Sequence, residues 1–110
     1  MATRLFLVAE SAGEPVGYAQ LDLDKALIRS IYVAVDHQHC GVGARLGRAL
    51  LEAGAEAGLA VLELDSSLNA VSFYQGLGFR AIADVDHRFR NGAVMRCVHM
   101  MRDLEQADPA

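Results

Sequence analysis

The chain has 110 residues and a mass of 11.8 kDa, which is the length of one domain and too short for two halves that each bury a core. Hydrophobic residues make up 53% and charged residues 22%, a composition that excludes a disordered chain. Ten Lys and Arg against fourteen Asp and Glu give a net charge of −4. That charge provides no general attraction to nucleic acid or to an anionic membrane, so neither is expected as a partner.

Cysteine usage and the lengths of the apolar runs favour an intracellular setting. Cys40 and Cys97 are far apart in the sequence and form neither a disulfide framework nor a metal-binding CxxC pattern, so we expect two reduced thiols. The apolar run over residues 5–9 is too short for a signal peptide, and no apolar stretch approaches the roughly 20 residues that span a bilayer. We expect a cytoplasmic protein with one domain over residues 1–104 and a polar tail over residues 105–110.

Three strands are predicted in the first third of the chain. Residues 5–10 and 16–23 are rich in β-forming residues and are separated by turn chemistry at residues 11–15, which predicts a hairpin. Residues 26–35 carry further β-formers and predict the third strand. No helical pattern lies between these segments, so we expect the three strands to be antiparallel.

A helix follows, because apolar residues recur at helical spacing over residues 41–57. Gly58 is a suitable stop for that helix, and residues 60–65 predict a fourth strand. Ser67 is a candidate N-cap for a short helix that ends near residue 77. Residues 79–84 and 93–104 predict two closing strands around a loop that contains His87, Arg88 and Arg90.

The predicted order is therefore β-β-β-α-β-α-β-β, and the fold class is α/β (α+β) with a mixed sheet. The strand–helix–strand step over residues 27–65 is a crossover, so its two strands should be parallel neighbours.

The loop over residues 38–44, Gln-His-Cys-Gly-Val-Gly-Ala, lies between a predicted strand and the long helix. Gly41 and Gly43 let the backbone turn sharply and approach a ligand closely. The unpaired amides of the loop and of the first helical turn, beside the positive end of the helix dipole, suit a pyrophosphate. Arg45 and Arg48 could add charge for a further phosphate.

This loop is weakly specific by itself. A dinucleotide fingerprint GxGxxG would need a third glycine where the chain has Leu46, and the Gly-Lys-Ser/Thr ending of a P-loop is absent. A tight turn that simply requires glycine explains the loop equally well.

A second stretch decides between these interpretations. After the next predicted strand, residues 70–79 read Ala-x-x-Phe-Tyr-x-x-x-Gly-Phe, about 30 residues beyond the Gln-x-x-Gly-x-Gly of residues 38–43. The pair at this spacing resembles the GCN5-related N-acetyltransferase (GNAT) family, and the resemblance extends over about residues 16–104. It implies an acyl-CoA N-acyltransferase fold that here lacks the family's usual first strand and the two helices after it.

The resemblance implies an enzyme that moves an acetyl group directly from acetyl-CoA, its co-substrate, to a primary amine, with no metal. The family binds the cofactor where two parallel central strands separate. Tyr74 matches the tyrosine that commonly protonates the departing thiolate, and is the catalytic residue that we expect. Ser67 stands where the family often has Asn, which weakens or removes that contact. The implied cofactor-binding residues are Ile31, Tyr32, Val33, Gln38, His39, Cys40, Gly41, Val42, Gly43, Ala44 and Ser67.

The sequence does not identify the general base that would take the proton from the acceptor amine. Glu63 lies on a central strand and is a candidate general base, and Asp22 and Asp24 are alternatives near a strand end. His87 could contact the acceptor or could be an ordinary loop histidine. His99 alternates with apolar neighbours and is expected on the outer face of its strand.

Other expectations concern metal, partners and alternative functions. His37 and His39 have no third ligand nearby, so a metal site is not expected. The unbroken apolar run over residues 5–8 would form an exposed sheet edge, which a second copy could cover as a homodimer. The alternatives to an enzyme are an acyl-CoA-binding module without turnover and an interaction protein with a vestigial loop.

Overall fold

The computed structural model of the protein describes residues 4–38 and 41–104. The predicted sites His39 and Cys40 and the tail over residues 105–110 lie outside the described residues. Six strands, two α-helices and two short 3-10 turns follow each other along the chain. Their bounds are β1 Arg4–Ser11, β2 Glu14–Asp22, β3 Leu27–Val33, a 3-10 turn Val35–His37, α1 Val42–Glu56, β4 Val61–Ser67, a 3-10 turn Leu68–Ala70, α2 Val71–Gly76, β5 Arg80–Arg88 and β6 Val94–Asp103.

The strands form one sheet in the order β1-β2-β3-β4-β6-β5. The pairs β1–β2, β2–β3, β4–β6 and β5–β6 are antiparallel, and β3–β4 is the parallel pair. The predicted element order, the antiparallel first three strands and the parallel crossover are therefore confirmed. The fold is a mixed α/β sheet with both described helices on one face.

The closing hairpin differs from the sequence prediction. His87 and Arg88 were expected in a loop, but both belong to β5, where His87 pairs with Met95 and Arg88 with Val94. Most side chains of β5 are exposed, so polar residues are tolerated on this edge strand and give no alternating pattern. The prediction that Arg90 lies in the loop is confirmed.

The core lies between the helices and the helix-covered face of the sheet. Its fully buried side chains alternate with outward-facing ones along β2, β4 and β6, as expected for a sheet with one covered face. On α1, Gly47 allows close contact with α2, because a Cβ atom there would lie 2.5 Å from Leu77 Cδ1. The largest fully buried side chains of this core are Leu21, Leu50, Leu62, Leu64 and Met100.

The opposite side of the sheet, here called the open face, carries no helix from the described residues. Phe6, Val8, Tyr18 and Tyr32 stand on its β1–β3 half, and the rings of Tyr18 and Tyr32 are 5.4 Å apart. The β4–β6 half of the open face is polar. Within residues 4–38 and 41–104, neither helix is long and apolar enough to cross a membrane.

Candidate active site

The two parallel strands β3 and β4 pair only at their beginnings. Leu27 stands opposite Glu63, and the Glu63 N–H donates to the Ala26 carbonyl at 2.9 Å. No further β3–β4 pairing occurs in the described chain, so the strands separate towards their carboxyl ends. The backbone edge of β3 that faces this gap, from Ile28 to Val33, therefore has no β4 partner.

A cleft of about 630 Å³ lies at this gap, on the side of the helices. The end of β3, the loop after it, the first turn of α1 and the start of α2 form its walls. The wall combines apolar side chains with backbone close to the α1 amino terminus. The lining residues are Ile31, Val33, Gln38, Gly41, Gly43, Ala44, Asn69, Ala70, Phe73 and Tyr74.

The glycine loop shapes one end of the cleft. Gly41 is the N-cap of α1 and has φ 82°, a left-handed conformation in which glycine is unstrained. A Cβ atom at Gly41 would meet no atom within 4 Å, so the space beside it is open to a ligand. The side chain of Gln38 donates to the Val33 carbonyl at 3.2 Å and ties the loop to the end of β3.

The first turn of α1 provides the hydrogen-bond donors of this wall. Its leading amides, from Val42 to Ala44, have no carbonyl partner within the helix because they precede the first complete turn. The first intrahelical bond runs from the Arg45 N–H to the Gly41 carbonyl at 3.1 Å. Free amides at the positive end of a helix dipole can bind a phosphate oxygen.

Arg45 and Arg48 lie on different flanks of α1, so they can contact different ligands or surfaces. Arg48 lies one turn after Ala44, on the flank of the helix that borders the cleft. Arg45 lines a second groove, between α1 and β1. The geometry favours Arg48 for any charged contact with a ligand in the cleft.

Tyr74 lies on α2 with its side chain largely buried, at 9% exposed. Its ring packs edge-on against Phe73, with centroids 5.1 Å apart, and against Phe79, at 5.9 Å. Burial raises the pKa of the Tyr74 hydroxyl above 10.0, so the phenol stays protonated at neutral pH. Because Tyr74 also lines the cleft, it is a hydrogen-bond donor available to a ligand there.

Three residues predicted at the site lie outside the cleft lining. The Tyr32 side chain points to the open face, so only its backbone borders the gap. Val42 lines the groove beside β1 instead. Ser67 ends β4 with an exposed side chain, and that side chain makes no capping bond to the following 3-10 turn.

Asn69 is a cleft residue that sequence reasoning did not assign to the site. The family often has an Asn at the position of Ser67, whereas this chain has an Asn two residues later. The 3-10 turn Leu68–Ala70, which inserts between β4 and α2, brings Asn69 to the cleft. The sequence signal for this residue was a polar amide side chain directly before the motif of residues 70–79.

The carboxylates considered as general bases differ in their surroundings. Asp22 accepts from the Lys25 N–H at 3.1 Å and from Arg29 at 3.4 Å. Although burial opposes it, these contacts lower the pKa of Asp22, and the residue lies at the closed end of the β3–β4 pair. Asp24 is exposed in the β2–β3 turn. Glu63 points to the open face, where its carboxylate lies 2.7 Å from His99.

Within residues 4–38 and 41–104, no group of three or more His, Cys, Asp or Glu side chains could hold a metal ion. Cys97 is buried, and burial together with the charges of Asp65 and Asp86 raises the pKa of its thiol. This thiol is a poor nucleophile at neutral pH.

The fold and the cleft can be compared with known proteins. The family model described as "Acetyltransferase (GNAT) domain" matches residues 2–104. The chain belongs to the GNAT family. None of the curated proteins compared with this GNAT chain matches it.

Solved structures support the same fold. A GCN5-related N-acetyltransferase from Rhodopseudomonas palustris is 30% identical, with a TM-score of 0.86 over 91% of this chain and 61% of that one. An IAA acetyltransferase from Bacillus cereus is 25% identical, with a TM-score of 0.74 over 91% of this chain and 77% of that one. An aminoglycoside 6'-N-acetyltransferase complexed with coenzyme A is 15% identical, with a TM-score of 0.79 over 96% of this chain and 75% of that one. The chain thus spans 61% of the first relative's length.

Proposed function

We propose that this GNAT domain transfers an acetyl group from acetyl-CoA to a primary amine. The observation that carries the proposal is the cleft at the β3–β4 gap, because one cavity is lined both by the first turn of α1 and by Tyr74. Membership in an acetyltransferase family supports the same reaction. The acceptor amine is not specified by these features.

In the proposed complex, the pyrophosphate of CoA lies against the amides of residues 41–44. The pantetheine arm runs along Ile31 and Val33, whose side chains line the apolar part of the cleft. The thioester then reaches the gap, where unpaired N–H groups of β3 can bind the carbonyl oxygen as charge develops on it.

The chemical step is a direct attack of the amine nitrogen on the thioester carbon. The C–N bond forms, the C–S bond breaks, and the thiolate leaves towards Tyr74. Holding donor and acceptor in one geometry supplies much of the rate enhancement. Tyr74 stabilises the thiolate by donating a hydrogen bond to sulfur.

Cofactor binding is the first test, and it separates this proposal from a vestigial loop. Calorimetry with CoA should give saturable binding, and dephospho-CoA should bind more weakly if Arg48 meets the 3′-phosphate. Arg48→Gln should then weaken CoA binding by about fivefold, since an exposed ion pair contributes up to about 1 kcal/mol. Arg45→Gln is the matched control on the other flank of α1, and it should leave the Kd unchanged.

Thioester turnover is the second test. Release of CoA from acetyl-CoA is followed with spermidine, glucosamine, an alanine-initiated peptide and a lysine-containing peptide as acceptors. Amine-dependent release is the expected result. Tight CoA binding without release for any acceptor would instead favour the acyl-CoA-binding module, and folded protein that binds no CoA would contradict both functions.

The proposal includes a homodimer in the cytoplasm. The exposed apolar side chains of β1, Phe6 at 62% and Val8 at 58%, support self-association through this edge of the sheet. The buried free thiol of Cys97 is compatible with a reducing compartment.

A further inference from the structure

A chain of four titratable side chains crosses the polar half of the open face. Glu63 Oε1 lies 2.7 Å from His99 Nε2, and His99 Nδ1 lies 2.6 Å from Asp65 Oδ1. The other oxygen of Asp65, Oδ2, lies 2.7 Å from His87 Nε2. This open-face network, Glu63–His99–Asp65–His87, joins β4, β6 and β5.

The partners in the network fix where its protons are. Both ring nitrogens of His99 face carboxylate oxygens, which accept hydrogen bonds when ionised. His99 is therefore the doubly protonated imidazolium, and its hydrogen bond to Asp65 is the largest cause that raises its pKa. Although burial opposes it, the bonds from His99 and His87 lower the pKa of Asp65, so Asp65 is an acceptor for both histidines.

His87 must then donate from Nε2, and its Nδ1 is left with no partner among the described residues. In the neutral ring, that nitrogen carries a free lone pair. The His87 side chain is 45% exposed, against 27% for His99 and 28% for Asp65. Protonating Asp65 or Glu63 would remove a partner of the His99 cation. The free nitrogen of His87 is thus the proton acceptor that the network presents to solvent.

The β4 end of the network, Glu63 and Asp65, also borders the gap between β3 and β4, and Asp65 links it to His87 on β5. Asp65 lies two positions after Glu63, the residue of β4 that pairs with β3, and both side chains point to the open face. The cofactor cleft with Tyr74 lies on the other side of the sheet, with the helices. In the proposed complex the cofactor brings its thioester into the gap from the helix side, and the acceptor amine approaches the thioester from the open face.

We propose that His87 is the proton acceptor for the amine, and that Asp65 is a positioning residue which fixes its tautomer. The inference rests on the acetyl transfer proposed above. It extends that proposal by assigning the acceptor side of the reaction to the open face. His99 and Glu63 position Asp65 in turn, because the His99 cation balances the charge of both carboxylates.

The proposed reaction releases one proton per turnover. Nδ1 of His87 takes one proton from the bound ammonium and releases it to water, which leaves a free amine to attack the thioester carbon. The tetrahedral adduct loses a second N–H proton as the C–S bond breaks, and the thiolate takes up one proton with the help of Tyr74. One ammonium and one thioester therefore give one amide, one thiol and one released proton.

The kinetic test uses His87→Gln, because the amide can still donate to Asp65 but has no basic lone pair. Its amine-dependent kcat should fall by about 10²-fold or more, while the Kd for CoA stays unchanged. A general base gives kcat/KM a limb that falls towards low pH; the wild type should show this limb in its pH profile, and the variant should lose it. The charged and titratable groups that face His87 across the strands are Asp65 and Glu63 on β4 and His99 and Cys97 on β6.

Two further variants test whether His87 takes part in catalysis or only stabilises the pairing of the strands. His87→Ala should regain part of its rate when free imidazole is added, which a purely structural histidine would not allow. Asp65→Asn should move the pH limb to lower pH, because an imidazole that loses a neighbouring anion holds its proton less tightly. Arg96→Gln is the matched control on the same hairpin: it breaks the exposed Arg96–Asp86 ion pair and should change neither quantity.

The outcomes distinguish this inference from the proposed function. If the wild-type protein shows no turnover with spermidine, glucosamine or either peptide, the acetyl transfer itself fails and the inference fails with it. If the wild type turns over and His87→Gln keeps both its kcat and its pH limb, acetyl transfer stands and His87 is not the base. Loss of rate without rescue by imidazole and with an unchanged pH limb would likewise overturn the assignment.

Discussion

The hydroxyl of Tyr74 is a donor because its surroundings oppose its ionisation. A phenolate on α2 would be enclosed by Phe73, Phe79 and the apolar wall of the cleft, and burial accordingly raises the pKa of Tyr74. A free thiol has a pKa near 8.5, so complete proton transfer from this phenol to a thiolate is uphill. In the acetyl transfer proposed above, we therefore expect Tyr74 to act mainly by donating a hydrogen bond to sulfur while the C–S bond breaks.

The variant Tyr74→Phe tests this role. It keeps the ring and its edge-on contacts but removes the hydroxyl, so the Kd for CoA should hardly change while kcat falls by about 10²-fold. Tyr18→Phe is the matched control, since Tyr18 is exposed on the open face and its side chain does not line the cleft. Unchanged kcat in Tyr74→Phe, measured by thioester release, would remove this hydroxyl from the mechanism.

A substitution at Gly41 can test the proposed pyrophosphate site without disrupting the fold. Its φ of 82° would strain a β-branched residue, but Asn adopts this conformation readily. Gly41→Asn should fill the open space beside the α1 amides and weaken CoA binding at least tenfold by calorimetry. Gly13→Asn is the control, because Gly13 has φ 83° and equally open space in the β1–β2 turn. Equal affinity in both variants would mean that the loop is only a tight turn.

At the scale of elements, local sequence patterns indicated the residues that line the cleft, whereas the open-face network depends on long-range strand pairing. The loop over residues 38–44 and Tyr74 were predictable because glycines, a helix start and a short motif act over a few neighbouring residues. The contacts of His99 with Asp65 and Glu63 join positions 34 and 36 residues apart. They depend on the β4–β6 register, which no local pattern contains. The polar end of β5 likewise gave no signal that the strand predicted over residues 79–84 continues to Arg88 and so brings His87 back to Asp65.

The same pairing gives the β4–β6 contact a defined dependence on pH. Folding raises the pKa of His99 above 6.5, so its stabilisation is complete below about pH 6.5 and is lost as the pH rises through the folded value. Folding lowers the pKa of Asp65 below 3.8, so its stabilisation is present above about pH 3.8 and is lost as the pH falls through the folded value. The ion pair should therefore stabilise the sheet most between these two limits.

We expect His99→Gln to be less stable than the wild type by on the order of 1 kcal/mol near pH 5, a Tm difference of about 4–8 °C. The difference should shrink as the pH rises through the raised folded pKa of His99, where the wild-type imidazolium is lost. Thermal unfolding at several pH values measures it. Arg80→Gln, which removes the exposed Arg80–Asp103 pair, should show no such trend, and a pH-independent difference for His99→Gln would contradict the ion pair.

At the scale of the whole molecule, the two halves of the open face differ in chemistry. The polar half carries the network, and the other half carries Phe6, Val8, Tyr18 and Tyr32, each more than two-fifths exposed. β1 is also an end strand of the sheet and pairs only with β2 in the described chain. An end strand with exposed apolar side chains is a surface that proteins usually cover.

A second copy can cover this edge if two β1 strands pair antiparallel about a two-fold axis, the commonest symmetry of homo-oligomers. The sheet then continues across the dimer, and the Phe6 and Val8 side chains of both copies meet. We expect light scattering at micromolar concentration to give twice 11.8 kDa. Val8→Lys should shift the protein towards monomer, because it places like charges together at the axis and interrupts the apolar patch. The matched control is Ile82→Lys at the far edge, on β5, where the side chain is 48% exposed. A soluble wild-type monomer, or a dimer that Ile82→Lys disrupts and Val8→Lys does not, would rule out pairing through β1.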